Sequence, residues 1–265
     1  MAELYLHKAR KRFGQNFLHD TAVIDRIIRA IHPQASEHIV EIGPGQGALT
    51  ESLVNSGAQL DVIELDKDLI PLLKLHFGLK ENFRLHEGDA LKFDFASLTT
   101  TPASIRVVGN LPYNISTPLI FHLLSHAHLL RDMHFMLQKE VVDRMAASPG
   151  SGDYGRLSVM VQFYCEVTRL FTVGPGAFRP APKVDSAVVR LIPHRRPVVD
   201  VHDPAVFAAV VNQAFSQRRK TLRNALKRML SDENIRAAGI DPGVRPEELD
   251  LAQFAALANL AARLP

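Results

Sequence analysis

The sequence predicts an α/β protein: an open, mostly parallel sheet with helices on both faces, followed by a small all-helical domain. Three observations lead there. Short β-rich runs alternate with helical patterns through the first half of the chain, which is how βαβ units read. The first unit carries a glycine loop, Gly43-Pro44-Gly45-Gln46-Gly47, between its strand and its helix. Beyond Pro193–Pro197 the strand signal stops and only helical patterns remain.

The elements follow in chain order. Asp20, then Val23, Ile24, Ile27, Ile28 and Ile31, predicts an N-capped amphipathic helix that Pro33 ends. His38–Ile42 is a strand, Ala48–Asn55 a helix stopped near Gly57, and Leu60–Leu65 a second strand. A helix over Lys67–His76 precedes a third strand, Phe83–His86, which runs into Gly88 and Asp89. Ile105–Val108 is the fourth strand, Pro118–Leu130 a helix and Met133–Leu137 the fifth strand. Right-handed crossovers place the helices on both faces. Leu157–Val173 and Val184–Ile192 then read as late strands, antiparallel partners joined by the Gly/Pro-rich Gly174–Pro182. Helical patterns occupy Asp203–Gln217, Lys220–Leu230, Asp232–Ala238 and Pro246–Ala262. These changes divide the chain into residues 1–195 and 196–265.

A length of 265 residues suits a large domain plus a small one. Hydrophobic residues at 46% and charged residues at 22% are ordinary for a globular protein. Lys plus Arg is 31 and Asp plus Glu 28, a net +3, which excludes an acidic disordered tail and a histone-like polycation. The single cysteine, Cys165, excludes an internal disulfide and multi-cysteine metal sites, and its apolar surroundings make it a buried, inert thiol. No run approaches 18 apolar residues, and Met1–Leu18 has no signal-peptide core, so a cytoplasmic protein without a membrane span is expected.

In open parallel sheets, ligands bind beyond the carboxyl ends of the strands. A glycine loop there lets backbone approach a ligand, although by itself it is also a common tight strand–helix turn. Glu64 ends the second strand, placed about 20 residues after Gly43, where a carboxylate accepts from ribose hydroxyls. An adenosine-type cofactor follows, either a dinucleotide or S-adenosyl-L-methionine. Asp89 suits the exocyclic amine of a cofactor adenine and equally suits a capping role. Asp66 and Asp68 read as surface or helix-start charges.

The most specific motif ends the fourth strand: Gly109-Asn110-Leu111-Pro112-Tyr113. It suits attack by an exocyclic amine, whose lone pair is delocalised into its ring. The side-chain carbonyl of Asn110 and the backbone carbonyl of Leu111 would accept from that amine and favour its pyramidal form. Pro112 fixes the turn, and Tyr113 offers a ring for stacking. The plain alternative is a proline-anchored turn with a buried tyrosine.

With this motif the chain resembles the bacterial small-subunit (16S) ribosomal RNA adenine N6,N6-dimethyltransferases. The matching stretches are Phe13–Leu18, Val40–Gly47, Val62–Asp66, Gly109–Pro118, Met136–Val141, Tyr154–Val159, Pro182–Leu191 and Phe215–Asn224. The resemblance implies a Rossmann-like class I S-adenosylmethionine-dependent methyltransferase sheet over residues 1–195 and a helical RNA-recognition domain over 196–265. It implies cofactor contacts from Asn16, Leu18, Gly43, Glu64, Asp89 and Asn110. It makes Asn110, Leu111, Tyr113 and Phe178 the catalytic set, Phe178 being a second aromatic against the flipped base. Implied too are a monomer, S-adenosyl-L-methionine as cofactor, the small ribosomal subunit or an assembly intermediate as partner, and a role in subunit biogenesis. The chemistry calls for no metal, and none of the 12 histidines is nominated as catalytic.

RNA contacts are expected from two acid-free basic clusters. One is Lys8, Arg10, Lys11 and Arg12; the other is Arg218, Arg219, Lys220, Arg223, Lys227 and Arg228. In a helix, Lys220, Arg223 and Lys227 share a face. Without these ten residues the chain is net acidic, so the small total charge conceals two concentrated patches. Three rivals remain: a large-subunit (23S) ribosomal RNA adenine methyltransferase of the resistance type, an NAD(P)-dependent oxidoreductase that would leave Asn110–Tyr113 unused, and a non-catalytic assembly factor.

Overall fold

The computed structural model describes residues 14–217 and 219–264. The elements in order are β1 (Phe17–Leu18), α1 (Thr21–Ile31), β2 (His38–Ile42), α2 (Thr50–Asn55), β3 (Gln59–Glu64), α3 (Ile70–Phe77) and β4 (Phe83–Glu87). Then come β5 (Ile105–Asn110), α4 (Ser116–Leu124), β6 (Leu130–Gln138), α5 (Lys139–Met145), α6 (Arg156–Tyr164), β7 (Cys165–Val173), β8 (Phe178–Arg179) and β9 (Ser186–Pro193). The chain ends in α7 (Pro204–Ala214), α8 (Leu222–Leu226), α9 (Asp232–Ala237) and α10 (Leu251–Ala261).

Seven strands form one sheet in the order β4-β3-β2-β5-β6-β9-β7. β2 to β6 run parallel, and β9 pairs antiparallel with β6. The chain builds outward from β2 through β3 to β4, then returns to place β5 on the other side of β2. That reversal is the topological switch point, and it sets the carboxyl ends of β2 and β5 side by side. Strands covered on both faces need apolar residues at successive positions. Accordingly Ile39, Val40, Leu60, Val62, Val107 and Val108 are all buried.

The predicted cap on α1 is present: Asp20 accepts from the N–H groups of Ala22 and Val23, and His32 at φ 50° closes the helix before Pro33. Several expectations change. Residues 157–164 are helix α6, not strand, because a buried apolar run carries no period that separates the two. α4 stops at Leu124, and Leu130 opens β6, because the Ser125 hydroxyl donates to the His122 carbonyl and turns over 126–130 follow. α3 starts at Ile70 because Asp66 organises the preceding turn, accepting from Asp68 N–H at 3.2 Å and, at its carbonyl, from Leu69 N–H at 3.0 Å. The pattern over 246–262 is broken at Asp250, which caps α10 through Gln253 N–H at 2.8 Å.

The chain divides into two compact units. The first comprises residues 1–142 and 168–193. The second comprises 143–167 and 194–265, the change to helices near residue 195 falling at the start of its second stretch. Its helices pack through aromatic contacts: Phe163 stacks on Phe207 at 4.3 Å between centroids, and Phe215 meets Phe254 at 5.7 Å. Cys165 is buried, and burial pushes its thiol up to about 12, which keeps it protonated and inert.

Candidate active site

A cavity opens at the switch point, bordered by residues 14–18, the β2–α2 loop, the end of β3, residues 88–90 and residues 110–115. It gathers Asn16, Leu18, Gly43, Glu64, Asp89, Asn110, Leu111 and Tyr113 from five chain segments. Phe178 does not border it. Its ring is buried in the core, and it pairs in the two-residue β1–β8 ladder with Leu18, which does border the cavity. A large apolar side chain gains more from this packing than from an open loop.

The loop is shaped by backbone that only glycine adopts freely. Gly43 has φ +63°, and a Cβ there would have no atom within 4 Å, so its open side stays clear for a ligand. Its N–H donates to the Ile63 carbonyl at 2.9 Å, tying the loop to β3. Gly109 answers a different need: a Cβ there would lie 2.6 Å from the Ile42 carbonyl oxygen. Glycine thus lets the ends of β2 and β5 approach.

Glu64 is nearly fully buried. Desolvation raises its carboxyl above the ordinary range, against the pull of backbone donors. Its Oε1 accepts from Asp66 N–H at 2.8 Å and its Oε2 from Gly45 N–H at 3.3 Å, which fixes the group at the cavity edge. Asp89 borders the cavity and also accepts from Leu91 N–H at 2.9 Å. Its two roles are compatible, since a carboxylate offers about four lone-pair sites.

The Asn110 amide nitrogen donates to the Asn16 carbonyl at 3.0 Å. That contact orients the amide and leaves its carbonyl oxygen as the acceptor on the opposite branch. Leu111 N–H donates to the Met136 carbonyl at 3.1 Å, anchoring the following turn to β6. The Tyr113 hydroxyl lies 2.7 Å from Ser186 Oγ.

Sequence reasoning missed three groups. Glu41 is buried on the cavity wall and takes the Thr50 hydroxyl at 2.6 Å; burial pushes its carboxyl up to about 8, and nearby Glu64 adds to the rise. Asp66, read as a surface or helix-start charge, does organise the start of α3 but is buried rather than on the surface, and it accepts from Gln15 Nε2 at 2.8 Å, tying the segment 14–18 to the end of β3. Ser186 stands within the matching stretch Pro182–Leu191, where nothing in the sequence gives it a role. Only the acidic residue opening the glycine loop had a sequence signal; the other two contacts join residues 51 and 73 positions apart.

The lining decides between the two cofactors. Among the described residues it holds three carboxylates, Glu41, Glu64 and Asp89, and no lysine, arginine or histidine. A pyrophosphate would find no cationic partner there, whereas a sulfonium and an ammonium favour the ionised carboxylates. The residues fit S-adenosyl-L-methionine.

Of the basic clusters, Lys8–Arg12 and Arg218 lie outside the described residues. Arg219, Lys220, Arg223 and Lys227 are exposed in the second unit. The shared helical face does not form, because α8 spans only Leu222–Leu226. Arg223 N–H donates to the Pro242 carbonyl and Leu222 N–H to the Val244 carbonyl, so backbone needed for an earlier helix start is taken. The Arg223 guanidinium also pairs with Asp232 at 2.7 Å. Four histidines have structural surroundings: His38 and His86 both meet buried Asp61 at 2.6 Å, His122 bonds the Phe93 carbonyl, and His134 is buried.

Comparison with known proteins agrees with this geometry. A family model described as ribosomal RNA adenine dimethylase matches residues 6–263. The chain is 67% identical to the Ribosomal RNA small subunit methyltransferase A of Pseudomonas aeruginosa, over 100% of this chain and 99% of that one. It is 56% identical to the protein of the same name from Marinobacter nauticus, over 99% and 95%. Among solved structures it is similar to a dimethyladenosine transferase from Plasmodium falciparum, with TM-score 0.73, 30% identity and coverage of 91% and 95%. It is also similar to the 23S rRNA methyltransferase ErmE, with TM-score 0.70, 25% identity and coverage of 94% and 100%.

Proposed function

The chain belongs to the ribosomal RNA adenine dimethylases, and on that premise we propose that it dimethylates N6 of two adjacent adenosines near the 3′ end of small-subunit (16S) ribosomal RNA, as a step in small-subunit biogenesis. It is an S-adenosyl-L-methionine-dependent methyltransferase. The observation that carries the chemistry is the end of β5 and the turn after it: Asn110, its amide nitrogen tied to the Asn16 carbonyl, and Tyr113 both line a carboxylate-bearing cavity. The choice of RNA rests on the small-subunit enzymes, identical at 56 to 67%, against 25% for the 23S enzyme.

Bound S-adenosyl-L-methionine supplies an electrophilic methyl group on a sulfonium. Glu64 would accept from its ribose hydroxyls and Asp89 from its adenine amine, while Asn16, Leu18 and Gly43 would hold the remaining portion. The side-chain carbonyl of Asn110 and the backbone carbonyl of Leu111 accept from the target amine. Two acceptors pull its N–H bonds out of the ring plane and free the lone pair for attack. As the nitrogen gains a methyl it becomes more acidic, and its proton leaves to water, directly or past the Asn110 and Leu111 carbonyls that accept its hydrogen bonds. Orientation of this kind is worth roughly 7–11 kcal/mol. Unstacking the base costs a few kcal/mol, and stacking on Tyr113 offsets part of that.

The basic residues of the second unit, Arg218, Arg219, Lys220, Arg223 and Lys227, supply phosphate contacts, with Arg223 the weakest contributor because Asp232 competes for it. Among the described residues no helix is long and apolar enough to cross a membrane; a ribosomal RNA substrate supports a cytoplasmic location. The test is product analysis after reaction with labelled cofactor and unmodified small subunits. Digestion is expected to yield labelled N6,N6-dimethyladenosine, with N6-methyladenosine as its intermediate; label in any other nucleoside overturns the reading.

A further inference from the structure

Tyr113 is held at both ends. Its backbone lies in a turn closed by Ile115 N–H on the Pro112 carbonyl at 3.2 Å, and its own carbonyl accepts from the Ser116 hydroxyl at 3.1 Å. At the far end of the ring, the phenol oxygen sits 2.7 Å from Ser186 Oγ. Ser186 is fully buried and opens β9, opposite Gln138 of β6. The carbonyl just before it, on Asp185, accepts from Lys139 N–H at 2.9 Å. The serine is therefore fixed by a sheet ladder that does not itself border the cavity.

We propose that Ser186 is a positioning residue whose hydroxyl tethers Tyr113 and holds the ring as a ready-made platform for the target adenine. The inference rests on the reading of Tyr113 as the stacking ring. The phenol oxygen lies on the axis running from Cβ through the ring, so a bond there fixes the direction of that axis. A half-buried tyrosine without it is free to exchange among staggered rotamers, and each exchange removes the platform from the amine acceptors on Asn110 and Leu111. Burial also holds the phenol above its ordinary pKa, so the hydroxyl stays protonated and serves as an anchor. The bond joins the end of β5 to the start of β9 and couples the base platform to the strand framework. Ser186 touches neither cofactor nor base; it acts through Tyr113.

Ser186→Ala and Tyr113→Phe remove the same bond from opposite ends. Each is expected to lower kcat/KM for small subunits by roughly 2- to 10-fold, the equivalent of one ordinary hydrogen bond. The two effects should be equal, and the double variant should be no worse than either single one, because there is only one bond to remove. Cofactor affinity, measured by calorimetry, should stay unchanged. Unimpaired turnover in Tyr113→Phe, effects that multiply in the double variant, or cofactor affinity that falls in step would each overturn the tether. Tyr113→Phe leaves the buried serine in place, so the result does not depend on Ser186→Ala folding normally. Tyr113→Ala tests the premise on its own, with an expected loss on the order of 10- to 100-fold. Full activity in Tyr113→Ala sinks the stacking reading itself. An impaired Tyr113→Ala beside intact Tyr113→Phe and Ser186→Ala sinks the tether alone.

Discussion

Replacing Gly109 with alanine adds one methyl group at the point where β2 and β5 come closest. The new Cβ would lie 2.6 Å from the Ile42 carbonyl oxygen and 3.1 Å from Leu111 Cδ2. The first distance is shorter than real contacts allow, and the atom concerned is backbone, so no side chain can swing away to relieve it. Relief requires the strand ends to separate. Ile42 precedes Gly43 and Gly109 precedes Asn110, so separation displaces the cofactor loop and the amine acceptor together. Overpacking of this kind costs roughly 1–3 kcal/mol, which for a chain of this size lowers Tm by roughly 2–12 °C. A displacement near 1 Å at reacting groups costs on the order of 100-fold in rate. The control is Gly176→Ala, where a Cβ meets nothing within 4 Å; it should melt within about 0.5 kcal/mol of the parent. Thermal unfolding and methyl transfer on the same preparations provide the readouts. A Gly109→Ala protein that melts and turns over like the parent would refute this reasoning.

Three further outcomes are expected. Glu41 is neutral in the free protein below about pH 8, and a bound cation favours its ionised form. Cofactor binding at pH 7 should therefore release protons, read by calorimetry in buffers of different ionisation enthalpy, and affinity should rise with pH up to about 8; a Glu41→Gln variant that keeps the same proton release would exclude this group. Burial alone would raise the Asp61 carboxyl, but hydrogen bonds from His38 and His86 outweigh it and hold it below its ordinary 3.8. A depressed carboxyl contributes stability that is present above the unfolded value and lost as pH falls through the folded one, so acid unfolding below about pH 4 should be less steep in Asp61→Asn; an identical acid limb would remove Asp61 as a contributor. Replacing Arg219 and Lys220 together should weaken RNA binding and reduce the salt slope by roughly 0.7–0.9 for each phosphate no longer neutralised. An unchanged slope would make that patch a solvated surface.

Local chemistry is legible wherever it sits on consecutive or regularly spaced residues. Asp20 and the isoleucine spacing mark α1, and Gly43, Glu64 and Asn110 mark strand ends that the switch point converges on one cavity. Residues 157–164 resist such reading because a short buried apolar run fits strand and helix alike. The terminal helices are shorter than their patterns because backbone bonds from Leu222 and Arg223 to Val244 and Pro242, and the Asp250 cap, interrupt runs that look continuous. Pairs such as Gln15 with Asp66 and Tyr113 with Ser186 leave no sequence trace, since the contact exists only once the sheet brings distant strands together. Phe178 is legible only through the family resemblance: its burial and its pairing with Leu18 carry no signal of a role at the base.

The proposed function turns on Asn110, Tyr113 and the carboxylate-lined cavity delivering methyl groups to adenine of the small subunit. Parallel reactions with labelled cofactor, one on unmodified small subunits and one on unmodified large-subunit RNA, give the sharpest check. Label is expected in small-subunit RNA alone, reaching two methyl groups on each of two adjacent adenosines. Label confined to large-subunit RNA would contradict this assignment.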